Sequence, residues 1–271
     1  MSRRCGALAV AATALLASAC SGGTGPVAGA GSQASRAAPA SDVSPAPSGS
    51  VTPGATAPPG PTGSPRPADP HGLGRYQPLW PFGSAAEAGS WQASYRSGGH
   101  QPWHLSPDDT ALAFSRFLGF TGIDRVTSRT VGSEGAHIGV GPRGTEGPRT
   151  AAVLHLIRLG NGADAPWEVV GTDDTQLSIT TPAYGATISS PVTVGGAVTG
   201  VDESLRVAVH QRSSGSPAGV FCCVSAGGFP GRWSARVPFR AGADPVLTIV
   251  VSAGGHVADV ERFAVTGVRK G

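Results

Sequence analysis

The sequence predicts a multi-domain protein in which an α+β domain, with two helices on an antiparallel sheet, precedes an all-β sandwich. Three observations lead to this prediction. Two segments between residues 84 and 118 carry apolar residues at helical spacing, and four shorter apolar segments follow them. Beyond residue 176 only strand-like segments with alternating apolar and polar residues remain. Residues 21–75, by contrast, contain no aromatic residue and are rich in Pro, Gly, Ser and Ala.

Residues 1–20 have the order of an export signal. Two arginines precede an apolar run, and three small residues stand directly before Cys20. The run is shorter than the roughly 20 apolar residues that a membrane-spanning helix needs. The stretch resembles the lipobox of bacterial lipoproteins, in which the signal is cut before a cysteine that then receives lipid.

This resemblance implies that Cys20 is the lipidated N-terminus of the mature chain. The protein would then lie outside the cytoplasm, anchored to the outer face of the cytoplasmic membrane. Ala17 stands where the family has Leu, Val or Ile, and residues 17–19 also form a site for the ordinary signal peptidase. In both alternatives the peptidase cuts the bond between Ala19 and Cys20, and the alternatives differ in whether Cys20 then carries lipid. The paired arginines also resemble a twin-arginine signal, so the export route stays open.

Residues 21–75 are predicted to be a disordered tether. Repeated proline and glycine favour neither a helix nor a sheet ladder. At about 3.1 Å per residue, some 50 residues in extended polyproline geometry reach on the order of 150 Å. The tether is long enough to hold a folded domain well away from the lipid, and its composition also resembles that of O-glycosylated stalks.

The charge balance argues against a nucleic-acid partner. The full chain has 20 basic and 17 acidic residues. Removal of residues 1–20 takes away Arg3 and Arg4 and no acidic residue, which leaves a net charge of +1. The basic residues are scattered arginines, and Lys270 is the only lysine. Proteins that neutralise phosphates need clustered basic residues instead.

The predicted α+β domain spans residues 76–173. Ser84 and Glu87 form a capping box at the start of the first helix, and Ser106 followed by proline begins the second. Ala88, Trp91 and Tyr95 fall on one face of the first helix at helical spacing, and Ala111, Phe114 and Leu118 are predicted to be the buried stripe of the second. Strands are expected at residues 125–131, 137–140, 150–159 and 167–170, and the two helices are expected to cover one side of the third strand.

The predicted all-β domain spans residues 177–268. Its seven expected strands are residues 177–180, 192–198, 205–211, 220–224, 232–237, 247–252 and 257–265. In the third of these, Leu205, Val207 and Val209 share one face, whereas Arg206 and His210 share the other. Two antiparallel sheets packed face to face bury such strands most simply.

Three segments of this domain carry a resemblance to a known family. Residues 181–185 (TPAYG), 189–196 (SSPVTVGG) and 233–239 (WSARVPF) are similar to the Gmad2 immunoglobulin-like domain of bacterial sporulation and germination proteins. The resemblance implies an immunoglobulin-like sandwich with an interaction role at the cell envelope and no catalytic residues. The Cys222–Cys223 pair departs from the family, and the germination partner domains are missing, so no role in spores is implied.

Residues 98–104 contain more of the side chains that we consider candidates for binding than any other stretch of this length in the sequence. The stretch contains His100, Trp103 and His104, which we take as a candidate binding surface. Pro102 interrupts the stretch, so the two histidines do not form the one-face pair of a helical zinc site, and no metal is expected. His155, within an apolar strand, is expected to be a core histidine.

Cys222 and Cys223 are adjacent, and neighbours on a regular strand point to opposite faces. The functional alternatives are a vicinal disulfide, a redox site or a metal site, and the structural ones are two buried thiols or a bridged turn. The flanking residues are apolar and would raise a thiol pKa, which argues for a structural pair over a reactive one.

No nucleophile elbow, phosphate-binding loop or dinucleotide fingerprint is present in the sequence, so we expect neither an enzyme nor a cofactor. The sequence favours a non-catalytic binding or assembly module that reaches the membrane through Cys20. Its partner is either an unidentified envelope protein or a wall polymer. In the second case exposed aromatic residues of the first domain would bind polysaccharide. A metal-dependent hydrolase is a third hypothesis.

Overall fold

The computed structural model describes residue 69 and residues 71–133, 135–144, 149–200, 204–225, 231–255 and 258–271, which belong to one compact unit. The predicted signal with Cys20, and the tether up to residue 68, lie outside the described residues. His71 and Leu73 are buried. Packing therefore begins before Tyr76, where the sequence analysis starts the folded domain.

The described residues contain two α-helices, α1 (Ala85–Arg96) and α2 (Pro107–Phe117), and otherwise mostly strands. Both helices begin as the sequence predicts. The Ser84 hydroxyl accepts a hydrogen bond from the Glu87 N–H, and the Ser106 hydroxyl accepts one from the Asp109 N–H, each at 3.2 Å. A short 3₁₀ segment, Pro102–Leu105, lies between the helices.

Four strands follow the helices and form an antiparallel meander in chain order: β1 (Ile123–Val131), β2 (Gly135–Pro142), β3 (Ala152–Arg158) and β4 (Trp167–Thr172). We call these four strands the meander sheet. The free side of β4 is covered at one point, where the Leu79 N–H donates to the Val169 carbonyl at 3.1 Å and the Val169 N–H donates to the Trp80 carbonyl at 2.8 Å.

The remaining strands form two sheets. They are β5 (Thr187–Ile188), β6 (Val192–Val198), β7 (Leu205–Gln211), β8 (Gly219–Val224), β9 (Gly231–Val237), β10 (Val246–Ala253) and β11 (Arg262–Lys270). One sheet has the order β5-β11-β10-β7-β8, and the other pairs β6 with β9. The last strand lies later than residues 257–265 because it pairs with all of β10, from Val246 opposite Arg269 to Ala253 opposite Arg262.

Residues 177–180, predicted as a strand, instead belong to a segment, 177–181, that makes isolated bridges to β6. Leu177 pairs with Val198, and Thr181 pairs with Gly195. Between these bridges the backbone approaches β6 closely, since a Cβ placed on Gly196 would lie 1.9 Å from the Ser178 carbonyl oxygen. Glycine at this position is therefore what lets the segment lie against β6.

Two apolar clusters lie on opposite faces of the five-stranded sheet. One cluster contains Val194, Trp233 and Leu247, and it joins this sheet to the β6–β9 pair. The other contains Phe114 of α2, Leu154 of β3, Val250 of β10 and Phe263 of β11. Because both faces are covered, all eight residues of β10 are buried.

Burial of the second face changes the expectation for β7. The alternation of the sequence places His210 on an outer face, but His210 is buried and its ring centroid lies 6.2 Å from that of Phe117. Arg206, on the same face, stays exposed. The alternation in a strand predicts which residues share a face. How much of that face is buried depends on packing, here against α2.

The expectation that both helices cover one side of β3 is wrong. Ala111 and Phe114 of α2, with Leu118 directly after it, pack in the cluster that contains Leu154 and Leu156. Ala88 of α1 instead packs with Ile157, Leu159 and Val170 in a third cluster. Leu156 and Ile157 are neighbours on a strand and point to opposite faces, so the two helices lie on different sides of the meander sheet.

Candidate functional site

An open cleft of about 450 Å³ lies on the face of the meander sheet opposite α2. We call it the Tyr184 cleft. Its floor comes from β3 and β4, where His155 lies opposite Gly171 in the antiparallel register. Its lining residues are Arg75, Tyr76, His155, Val170, Gly171, Thr172, Asp174, Ile179, Tyr184, Val265 and Thr266.

Tyr184 presents its ring to the cleft from a fixed position. Its hydroxyl accepts a hydrogen bond from the Gln77 N–H at 2.6 Å and donates one to the Val170 carbonyl at 2.9 Å. Burial raises the pKa of this hydroxyl to about 12. The residue is nevertheless 42% exposed. The anchored hydroxyl therefore holds the ring in place in a residue that stays partly open to solvent and lines the cleft.

Gly171 leaves room beside the Tyr184 ring. Outside its own chain neighbours, a Cβ placed on Gly171 would have this ring, at 4.0 Å, as its nearest contact. Glycine in a strand often marks a place where something else approaches closely. Here the missing side chain opens the space between His155 and Tyr184.

His155 is held by rings on two sides. The His137 ring, from the neighbouring strand, stacks on it with centroids 4.6 Å apart, and the Tyr76 ring meets it edge-on at 5.4 Å. His137 Nδ1 in turn lies 2.8 Å from a carboxylate oxygen of Asp173. Burial, followed by the charge of His137, lowers the pKa of His155 and favours its neutral form.

The expectation of a core histidine at residue 155 is therefore wrong. His155 is half-buried and lines the cleft, because neither helix covers this part of β3. The apolar run around it gave the opposite expectation, since a strand covered on both faces has the same sequence pattern.

One cation and one anion line the rim of the Tyr184 cleft. The Arg75 guanidinium donates to the Tyr76 hydroxyl at 2.9 Å, an interaction that raises the pKa of Arg75. Asp174, on the segment that follows β4, is exposed. The charged side chains of the lining thus cancel, and the cleft combines aromatic rings with polar groups at its edge.

A second cleft, of about 610 Å³, adjoins the first. Tyr76 and His155 line both of them. We call the second one the Gly160 cleft, because the loop from β3 to β4, including Gly160 and Asn161, forms one of its walls. Together the two clefts extend along the same face of the meander sheet.

The structure separates the three residues of the predicted binding surface. His100 is exposed, Trp103 is half-buried and His104 is buried. The Trp103 ring stacks on Trp80 at 5.2 Å and on His104 at 3.6 Å. Much of the apolar surface of Trp103 is therefore used within the fold.

His104 is an interior group. Its Nε2 lies 3.2 Å from the Gln101 side-chain oxygen, and burial lowers its pKa to about 4. Residues 98–104 do not line the Tyr184 cleft. Among the described residues, no group of three or more His, Cys, Asp or Glu is placed to hold a metal ion.

A disulfide joins Cys222 and Cys223 in the structure, across a cis peptide bond. The pair is exposed on β8, an outer strand of the five-stranded sheet, beside the exposed side chains of Val220 and Phe221. It also lines a cleft of about 570 Å³ that includes Arg206 and His210.

We expect this disulfide to contribute little stability. Replacing both cysteines by serine should lower the free energy of unfolding by about 1 kcal/mol or less, because the bridge closes the shortest possible loop and restricts the unfolded chain little. Urea unfolding of the variant, and of the unchanged protein with and without reductant, measures the effect. A loss of about 3 kcal/mol, as for a bridge closing about 15 residues, would contradict this account.

Sequence reasoning missed Arg75, Tyr76, Gly171 and Tyr184 as members of one site. Tyr184 and Gln77 are 107 residues apart in the chain, yet they are joined by the 2.6 Å hydrogen bond. The available signal was the isolated aromatic in the TPAYG segment, since a tyrosine in a polar turn often has a specific partner for its hydroxyl.

No helix among the described residues is long and apolar enough to cross a membrane. No family model matches the chain, and neither a curated protein nor a solved structure matches it.

Proposed function

We propose that this chain is an exported, lipid-anchored, non-catalytic binding module of the cell envelope. The signal, Cys20 and the tether place and attach the folded unit, and the Tyr184 cleft receives the ligand. The observation that carries the binding role is Tyr184, whose hydroxyl is fixed by two hydrogen bonds while the residue is 42% exposed, beside Gly171, which has no side chain. A large aromatic held in place but left open is a common feature of binding sites.

The lipoprotein and Gmad2 resemblances are part of this proposal. We infer that β5–β11 form an immunoglobulin-like sandwich. The inference is supported by the apolar cluster between the five-stranded sheet and the β6–β9 pair. In such a protein the sandwich supports the meander sheet, and the clefts lie on the face of that sheet opposite α2.

A wall polysaccharide is the second candidate partner, beside an envelope protein. The sequence linked this candidate to Trp103, whose ring is largely engaged by Trp80 and His104. The rings of Tyr76, His155 and Tyr184 favour it more strongly, because they line one cleft.

Metabolic labelling with a fatty-acid probe tests the anchor. The unchanged chain should take up label and fractionate with the membrane, whereas Cys20→Ala should lose the label completely, since no other residue can replace the modified thiol. Cys5→Ala is the matched control and should keep full labelling, because Cys5 leaves with the signal. Equal labelling of Cys20→Ala, or no label on the unchanged chain, would contradict the lipid anchor.

A further inference from the structure

We propose that the Tyr184 and Gly160 clefts together bind an uncharged saccharide chain, with one sugar ring between His155 and Tyr184. This inference rests on the proposed binding function and names its ligand class. It depends on four properties of the site, namely its rings, its polar rim, its charge balance and its position on the face of a sheet.

The rings suit the flat faces of a sugar. A pyranose exposes C–H groups on its faces, and the electron-rich face of an aromatic ring attracts such groups. Tyr184 is immobilised through its hydroxyl, and His155 is held between His137 and Tyr76. A ligand therefore meets rings that are already in place, so little conformational entropy is lost on binding.

The polar groups suit the hydroxyl groups at the edge of a sugar. Arg75 supplies hydrogen-bond donors, Asp174 supplies acceptors and Thr266 supplies a hydroxyl. Since Arg75 and Asp174 carry opposite charges, the lining of the Tyr184 cleft has no excess of either sign. This balance favours an uncharged ligand over an acidic or basic one in the Tyr184 cleft. The charged side chain in the lining of the Gly160 cleft is Arg158, whose guanidinium lies over the Trp167 ring, 4.8 Å from its centroid.

The position of the clefts argues against an extended peptide as the ligand. Such a peptide commonly adds a strand to a free sheet edge and binds through its main chain. β3 is paired on both sides, with β2 and with β4, so its backbone groups are used within the sheet. On the outer strand β4, the Val169 N–H donates to the Trp80 carbonyl, and the Val169 carbonyl accepts from the Leu79 N–H. The Val170 carbonyl accepts from the Tyr184 hydroxyl, so these backbone groups are used as well.

The two adjoining clefts suit a chain longer than one sugar. Tyr76 and His155 line both clefts, so a ligand that fills the Tyr184 cleft can continue past these rings toward Gly160. With volumes of about 450 and 610 Å³, each cleft is in the usual range for small-molecule sites.

Gly171→Val provides a direct test, because it places a branched side chain in the space beside the Tyr184 ring without removing a contact. Valine also suits a strand. The matched control is Gly122→Val, since a Cβ on Gly122 meets no atom within 4 Å and Gly122 lines neither cleft. Tyr184→Leu, which removes the ring, is a second variant. Thermal unfolding of each variant identifies any that fail to fold.

The measurement is titration calorimetry on the full exported chain in detergent, with chitotetraose and cellotetraose as uncharged probes and a hyaluronan tetrasaccharide as the acidic one. We expect an uncharged probe to bind with a dissociation constant below about 1 mM. Gly171→Val and Tyr184→Leu should weaken binding at least about tenfold, and Gly122→Val should leave it unchanged.

Three results would overturn the saccharide inference: no binding of either uncharged probe, tighter binding of hyaluronan than of both, or binding that Gly171→Val leaves intact. The proposed function is decided separately. A photo-reactive residue placed at position 174, on the exposed rim of the Tyr184 cleft, leaves the space beside Gly171 free. If it crosslinks to an envelope protein in intact cells and no saccharide binds, the binding module is retained and the saccharide inference is overturned. No crosslink and no saccharide binding would overturn both.

Discussion

Phe114→Ala is expected to lower the free energy of unfolding by about 3 to 5 kcal/mol. The Phe114 side chain is 0% exposed and lies in the cluster that contains Leu154 of the meander sheet together with Val250 and Phe263 of the five-stranded sheet. Truncation leaves a cavity where these elements meet, and the loss of packing adds to the loss of apolar burial.

Because residues of both sheets form this cluster, we expect the meander sheet and the five-stranded sheet to unfold together, in a single transition, at a lower urea concentration than in the unchanged protein. Urea unfolding followed by far-ultraviolet circular dichroism and by the emission of tryptophans measures this, with Trp233 as a reporter in the β9 strand. Phe221→Ala is the control with the same chemistry, since Phe221 is 38% exposed, and it should change stability by less than about 1 kcal/mol. Two separate transitions, with only the first one shifted, would show that the shared cluster does not couple the sheets.

Acidification from pH 7 to pH 5 is expected to cost about 2 kcal/mol for each of His104 and His210. Their side chains are 3% and 2% exposed, and burial lowers the pKa of each to about 4 from an ordinary value of 6.5. For His210 the charge of Arg206 lowers it further.

The sign follows from proton uptake. Between pH 6.5 and 4 the unfolded chain binds protons at these histidines and the folded chain does not, so stability falls as pH falls. The loss begins near pH 6.5 and is complete below pH 4, where it approaches about 3 kcal/mol for each residue.

The measurement is a difference between variants. Urea unfolding at pH 7 and pH 5 should give a loss that is smaller by about 4 kcal/mol in His104→Gln/His210→Gln than in the unchanged protein. His100→Gln, at an exposed histidine, is the control and should behave like the unchanged protein. An equal loss in the double variant would contradict the prediction.

Glu168 also makes stability depend on pH, in the direction opposite to the two histidines. It is fully buried, and burial raises its pKa well above the usual value, although its Oε2 accepts a hydrogen bond from the Phe82 N–H at 2.8 Å. The folded chain therefore holds this proton more tightly than the unfolded chain, and its contribution to stability falls as pH rises. This trend opposes that of the histidines. Because Glu168 is present in both proteins, its contribution cancels when the unchanged protein is compared with the double variant.

The local features of the fold could be predicted from the sequence. Ser84 and Ser106 begin the helices because their hydroxyls accept backbone N–H groups that no helical carbonyl can reach. Ala111, Phe114 and Leu118 form a buried stripe because their spacing follows the helical period. The strands of the second half were placed within a few residues, apart from residues 177–180, the last strand and the short β5, which was not predicted.

Which faces are covered, and which distant residues meet, depends instead on how the elements pack together. α2 buries His210 on the outer face predicted for β7, whereas the face of β3 that carries His155 stays open. The Tyr184 cleft joins residues from position 75 to position 266, and the hydrogen bond from Gln77 to Tyr184 that fixes its ring crosses 107 residues. A local pattern records the periodicity of one element, but burial depends on a second element whose position the pattern does not encode.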